Sequence, residues 1–191
     1  MKYIQIILIL VASLNMGLSQ ENQNVIPEIS YNPNAKLDTA RRSINAEVDG
    51  KIGTANLKIK YHSPGVRGRV IWGGLVPYNK IWVTGAHNAT SLESDKDFMI
   101  NKTLIPKGRY ALFTIPQENS WTVILNKNPD QHQADKYKET EDVIRFKVKP
   151  KHTRNILERL QYFIENKKNN KGTLSMAWEK IKIEFNIVVK E

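Results

Sequence analysis

The sequence predicts an all-β fold, an antiparallel β-sandwich of jelly-roll-like type with about nine strands, and three observations carry that expectation. Short stretches of alternating or β-branched residues recur from Arg41 to the C-terminus. Each is bounded by Gly, Asn, Asp or Pro, residues that favour turn geometry and so punctuate strands. Near the end, Lys180, Lys182, Glu184 and Asn186 alternate with Ile181, Ile183, Phe185 and Ile187. That period of two places one face on a core and the other in water.

At the N-terminus, Lys2 precedes an apolar run from Ile4 to Leu14, broken by Gln5 and Ser13 and followed by small residues at Gly17 and Ser19. This order predicts a cleavable signal peptide over 1–19, cut after Ser19, and hence a periplasmic or secreted protein. The run is too short for the roughly 20 apolar residues a membrane-spanning helix needs, so no transmembrane segment is expected in the mature chain. Residues 20–40 are rich in Asn, Gln, Glu and Pro and read as a disordered lead-in. Residues 41–191 then read as a single β-sandwich domain. The chain has no cysteine, which excludes a lipid anchor at the cleavage site, disulfides, thiolate metal sites and a thiol nucleophile. Its formal net charge is +10. Such a surplus suits acidic partners or simple solubility. The lysines are scattered and form no reading motif, so no nucleic-acid partner is expected.

Within the domain, the clearest strands are Leu57 to Tyr61, Lys80 to Thr84, Tyr110 to Ile115, Trp121 to Asn126, Val143 to Val148, Thr173 to Trp178 and Ile181 to Val188. The imperfect alternation of Trp121 to Asn126 predicts a central strand covered on both faces. Turns are expected at Asp49-Gly50, at Pro106-Lys107-Gly108, and over Asn166 to Gly172 as a basic hairpin tip. Ile156, Leu157, Leu160, Phe163 and Ile164 follow helical spacing, which favours a helix over 155–165. Strand spacing also fits Leu160, Tyr162 and Ile164.

Between His62 and Thr90 the composition changes. Gly65, Gly68, Gly73, Gly74 and Gly85 fall there, with Trp72 and Trp82. Glycine at this density marks sharp turns and close backbone approaches. Arg67 and Arg69 supply planar donors, Trp72, Tyr78 and Trp82 flat apolar faces, and Thr84, His87, Asn88 and Thr90 short polar tips, the parts of a binding site. Trp121 and Trp178 read as core, whereas Trp72 and Trp82 read equally as core or as ligand platforms.

These motifs resemble the bacterial domain-of-unknown-function family 2911, exported proteins common in the Bacteroidetes. The resemblance runs from about Arg41 to Val188. It is carried by Arg41-Arg42-Ser43, Tyr61-His62-Ser63-Pro64, Gly68-Arg69, Leu75-Val76-Pro77-Tyr78, Thr84-Gly85-Ala86 and Leu104-Ile105-Pro106-Lys107-Gly108-Arg109-Tyr110. Phe113-Thr114-Ile115-Pro116, Trp121 to Lys127 and Asp142-Val143-Ile144-Arg145 continue it. The family's closing third reads as strands, and on that ground residues 159–164 are assigned to a strand. Val83 and His87 stand where the family usually has Arg and Asn. The resemblance implies fold and compartment, and supplies no activity and no functional residues.

Three functional readings follow. The first is a non-catalytic binding or interaction module, whose ligand-facing end, built from 62–90 and 128–137, holds an anionic or carbohydrate-like ligand. Its candidate residues are Arg67, Arg69, Trp72, Tyr78, Trp82, Thr84, His87 and Asn88. The second is a metal-assisted hydrolase or isomerase using His62, His87 and His132 with Asp130 or Asp135. The histidines lack the close spacing by which zinc sites usually announce themselves. The third is a structural protein of the cell envelope. No cofactor is expected, since no nucleotide-type glycine loop opens a helix, and acyl transfer is discounted because neither Ser63 nor Ser91 lies in a nucleophile elbow. Glu93 with Asp95, and Glu139 with Glu141 and Asp142, read as solvated strand ends rather than paired catalytic carboxylates. A shallow polar cleft would favour the first reading, at least two imidazoles beside a carboxylate the second, and the absence of a cleft the third.

Overall fold

The computed structural model describes residues 42–190; the predicted signal peptide, its cleavage site, the lead-in and Arg41 lie outside the described residues. Ten strands form two antiparallel sheets, and the sandwich expected from the sequence is what the chain builds. In chain order the strands are β1 (Ile44–Ile52), β2 (Ala55–Ser63), β3 (Ser91–Ser94), β4 (Phe98–Ile100), β5 (Thr103–Ile105) and β6 (Gly108–Ile115). Then come β7 (Trp121–Asn126), β8 (Asp142–Val148), β9 (Lys151–Asn166) and β10 (Lys171–Val189). The larger sheet has the order β1-β2-β3-β6-β7-β8 and the smaller β5-β4-β10-β9. The described residues contain one 3-10 turn, Glu139–Glu141, and no helix long and apolar enough to cross a membrane.

The main core fills the space between the sheets. Leu57, Ile59 and Leu92 project into it from the larger sheet and Phe98, Leu160 and Leu174 from the smaller, each at most 1 % exposed. Burying a side chain of this size contributes about 1.5–3 kcal/mol, so the interleaved inner faces hold the layers together. A second, smaller cluster of Val83, Ala89, Ala111, Phe113 and Ile124 lies apart from it. Phe113 and Ile124 are register partners on β6 and β7, and they alternate with Leu112 and Leu125 of the main core. The second cluster therefore occupies the outer face of the larger sheet, roofed by residues of the 81–89 and 134–137 segments. This explains why all six residues of β7 are buried, as its imperfect alternation predicts. The strand is internal, between β6 and β8, and one place from the sheet edge.

Four expectations need correction or refinement. Asp49-Gly50 is no turn: both residues lie inside β1, and the hairpin turns instead at Gly53-Thr54, where Ile52 pairs with Ala55 and Gly53 has φ +57°. Gly50 serves close approach, since a Cβ added there would lie 2.7 Å from Cβ of Ile164 in the other sheet. Lys80 to Thr84 is no regular strand; Trp82 alone bridges Thr114 on β6, because the chain turns away at Thr84, with φ +52°. The two stretches Thr173 to Trp178 and Ile181 to Val188 are one strand, β10, interrupted by a bulge about Glu179, with φ +54°. The bulge adds a residue without ending the ladder, which from sequence alone reads as a break.

The segment with two readings resolves as strand. β9 runs over 151–166, longer than the 159–164 assigned, and its partner Gly172 faces Asn166 across the turn. Helical spacing there was coincidental: Leu160 and Tyr162 are buried while Ile156 is 56 % exposed. Tertiary burial has overridden the local pattern.

Candidate functional site

Two loops, residues 64–90 and 127–138, meet over one end of the larger sheet. Trp82 N donates to Thr114 O at 2.8 Å and Thr114 N to Trp82 O at 2.9 Å, while Leu112 N donates to Thr90 O at 2.7 Å. Between these anchors the chain leaves the edge of β6 and returns to it. At the tip, Ala89 N donates to Gln131 O at 2.9 Å and Gln133 N to His87 O at 2.6 Å. Asn88 thus faces His132 across a short bridge, and the two segments expected to form one ligand-facing end are joined by main-chain bonds.

Thr84 is the keystone of the first loop. It is fully buried and β-branched in a left-handed conformation, a costly combination that surrounding bonds must hold. Its Oγ1 lies 3.1 Å from Thr114 Oγ1, and its carbonyl accepts from Tyr162 OH at 2.7 Å and Thr90 Oγ1 at 3.1 Å. Gly85 follows because a Cβ there would lie 2.8 Å from Thr90 Oγ1 and 3.2 Å from His62 O. The loop can then rest against the end of β2. His87 and Gln133 also take positive φ, +57° and +51°, so the joined tips are locally strained.

Two clefts flank this junction. The larger, about 610 Å³, lies over the outer faces of β1, β2, β3 and β6. Register decides its lining: Asn45 sits opposite His62, Glu47 opposite Lys60, and Lys60 opposite Ser91. Arg109, Asp130, Gln131, His132 and Asn88 complete the wall. Its charges are internally matched. Glu47 lies between Lys60 Nζ at 3.6 Å and Lys58 Nζ at 2.6 Å, and Arg109 forms an ion pair with Asp130. Gln131, buried, donates through Nε2 to Asn128 O at 2.7 Å, which stiffens the loop.

The smaller cleft, about 400 Å³, is lined by Arg67, Arg69, Trp82, His87 and Trp178 among others. All four tryptophans of the chain form one cluster: Trp72 packs 4.8 Å from Trp121 and 5.7 Å from Trp178, and Trp82 stacks at 6.0 Å and 22° on Trp178. Trp121 and Trp178 are buried, as expected of core residues. Trp82 is half-buried, packs against both hydrophobic clusters and faces the smaller cleft. His62 lines the larger cleft and His87 the smaller, and their rings meet edge to face with centroids 5.1 Å apart. Burial, and then the neighbouring His87, hold the His62 imidazole below its ordinary pKa.

The proposed ligand residues therefore divide. Arg67, Arg69, Trp82 and His87 share the smaller cleft, and Asn88 belongs to the larger. Thr84 turns inward onto Thr114. Trp72 packs within the tryptophan cluster, and Tyr78 lies over Gly73; neither lines these clefts. Of the histidines considered for a metal, His62 and His132 line one cleft and His87 the other, and His132 Nδ1 lies 3.3 Å from Asp135 Oδ2. Among the described residues no three His, Asp or Glu side chains are grouped as a metal site. Ser63 donates to Leu160 O at 2.7 Å, a structural bond. Asp95 accepts from Asn56, and Asp142 from Asn126, Tyr137 and Arg145, so these carboxylates tie strand ends together. Sequence reasoning missed Asn45, Glu47, Lys60, Ser91, Arg109 and Gln131. Most of them sit on ordinary solvated strand faces, and nothing in their local pattern separates them from any other polar alternation.

Taken together, the fold and the joined loops define an all-β sandwich with two clefts at one end of its larger sheet. A family model described as protein of unknown function (DUF2911) matches residues 43–187, and the chain belongs to that family. No curated protein and no solved structure matches it.

Proposed function

We propose that this is an exported, non-catalytic binding module that holds a carbohydrate-like, hydroxyl-rich ligand in the larger cleft. The observation that carries the reading is the matched character of that wall. Lys60 with Glu47 and Arg109 with Asp130 offset one another, while Asn45, His62, Asn88 and His132 add further polar groups. A sugar hydroxyl donates and accepts at once, so a wall of interleaved donors and acceptors suits it better than an anion. The strained, bonded loop tips favour a preformed site, which lowers the ordering cost of binding. Export rests on the Lys2 and Ile4–Leu14 pattern.

The test is a glycan array followed by titration calorimetry on the hits, with Asn88→Ala and His62→Ala as variants. Binding that weakens about tenfold in each variant, with the melting temperature held, is the expected result, since each loses one or two polar contacts. An array without hits removes the reading. Elemental analysis of the untagged protein covers the enzyme alternative, which the contact between His62 and His87 keeps in view. Near-stoichiometric metal that is lost in His87→Ala would replace binding with metal-assisted catalysis.

A further inference from the structure

The smaller cleft differs from the larger in both charge and floor. Arg42, Arg67 and Arg69 line it together with His87; no Asp or Glu lines it, and the neighbouring Glu158 carboxylate is engaged by Arg67 N at 2.9 Å. The Arg69 guanidinium is held by main-chain oxygens, Nη2 donating to Gly65 O at 2.6 Å and Nε to Val66 O at 3.2 Å. These carbonyls orient the fork and leave its charge without a carboxylate partner among the described residues. A cleft of one charge sign with low-dielectric walls concentrates the opposite ion. Here the walls are indoles: Trp82 and Trp178 form the floor, and Leu75, 47 % exposed, stands at the rim.

The tryptophan cluster also carries unpartnered donors. Trp178 is 1 % exposed and lines this cleft, yet its Nε1–H has no hydrogen-bond partner among the described residues. Trp82, by contrast, donates its Nε1–H to Gly85 O at 3.0 Å. Trp72 Nε1–H, in the same cluster but lining neither of these clefts, is unpartnered as well, so the orphaned donors belong to the tryptophan cluster rather than to the cleft.

We propose that the smaller cleft is a second ligand site, for an amphipathic organic anion. A carboxylate or phosphate head is held by Arg69 and Arg42, and an apolar body lies over Trp82 against Leu75. Guanidinium forks suit either head, because both present paired oxygens. This site is independent of the carbohydrate reading of the larger cleft.

The test uses the purified protein with phenylacetate and phenyl phosphate as the two heads, 2-phenylethanol as the neutral analogue and inorganic phosphate as the head alone. Binding is read by quenching of the clustered tryptophans and by calorimetry. Saturable binding of at least one organic anion is expected, and the tighter of the two identifies the head. Arg69→Gln and Arg42→Gln are each expected to weaken it about tenfold, the scale of one lost charge-assisted hydrogen bond. Asn88→Ala, which touches only the larger cleft, is expected to leave it unchanged. Equal binding of 2-phenylethanol, no binding of either anion, or indifference to both arginine variants would overturn the proposal. Inorganic phosphate binding as tightly as phenyl phosphate would overturn the apolar half of it.

Discussion

His62 shows how a single residue joins sequence position to environment. Its place at the end of β2 sets it opposite Asn45 and against the loop tip, where the His87 ring meets it at 5.1 Å. Burial disfavours the imidazolium, and the second ring adds to the effect whenever it is charged. A histidine whose folded pKa lies below its unfolded value binds fewer protons in the native state. Its contribution to stability is thus present above about pH 6.5 and is lost as pH falls from there through the folded pKa. We expect an NMR titration to place His62 below 6.5, and denaturant unfolding to show a decline over that window that His62→Gln lacks. A midpoint at or above 6.5 would contradict the geometry. Thr84 teaches the same lesson in reverse: its sequence neighbours mark it as a polar tip, whereas four hydrogen-bonded contacts turn it into the interior.

At the scale of elements, the paired strands β9 and β10 decide most about packing. β10 alternates cleanly after Lys180, and before the bulge it is buried throughout from Gly172 to Trp178, because its first half is covered on both faces. Gly172 has no room for a side chain, since an added Cβ would lie 2.5 Å from Ile52 Cδ1 and 2.6 Å from Glu165 O. The strand assignment of 151–166 yields a direct contrast between two apolar residues four apart. Leu160 is fully buried and Ile156 is largely exposed. Leu160→Ala is expected to cost about 2–5 kcal/mol, the range for a buried leucine, and Ile156→Ala to stay within about 0.5 kcal/mol. Urea unfolding of both variants checks this. Comparable losses would restore the helical face that periodicity suggests.

For the molecule as a whole, the described residues 42–190 form one compact unit, which the family match over 43–187 nearly spans. If the protein is exported as proposed, the mature form recovered from the cell envelope or medium begins at Gln20. Intact-mass measurement with N-terminal sequencing checks this, and a retained Met1 would refute it. The sequence by itself determined the fold class and most strands, because period-two burial and turn residues are local signals, and its ordered motifs carried the family resemblance. Trp121 to Asn126 announced its two covered faces, and the glycine-rich span from His62 to Thr90 announced an irregular, shaped segment. Only the tertiary structure decided which side chains share a cleft. Strand register brings Asn45, Lys60 and Ser91 into one row although they are far apart in the chain, and a two-bond bridge sets Asn88 beside His132. It also decided that Gly50 is a point of sheet contact rather than a turn, and that four tryptophans spread over 72–178 make one cluster. Such facts depend on long-range pairing, which no window of neighbouring residues encodes.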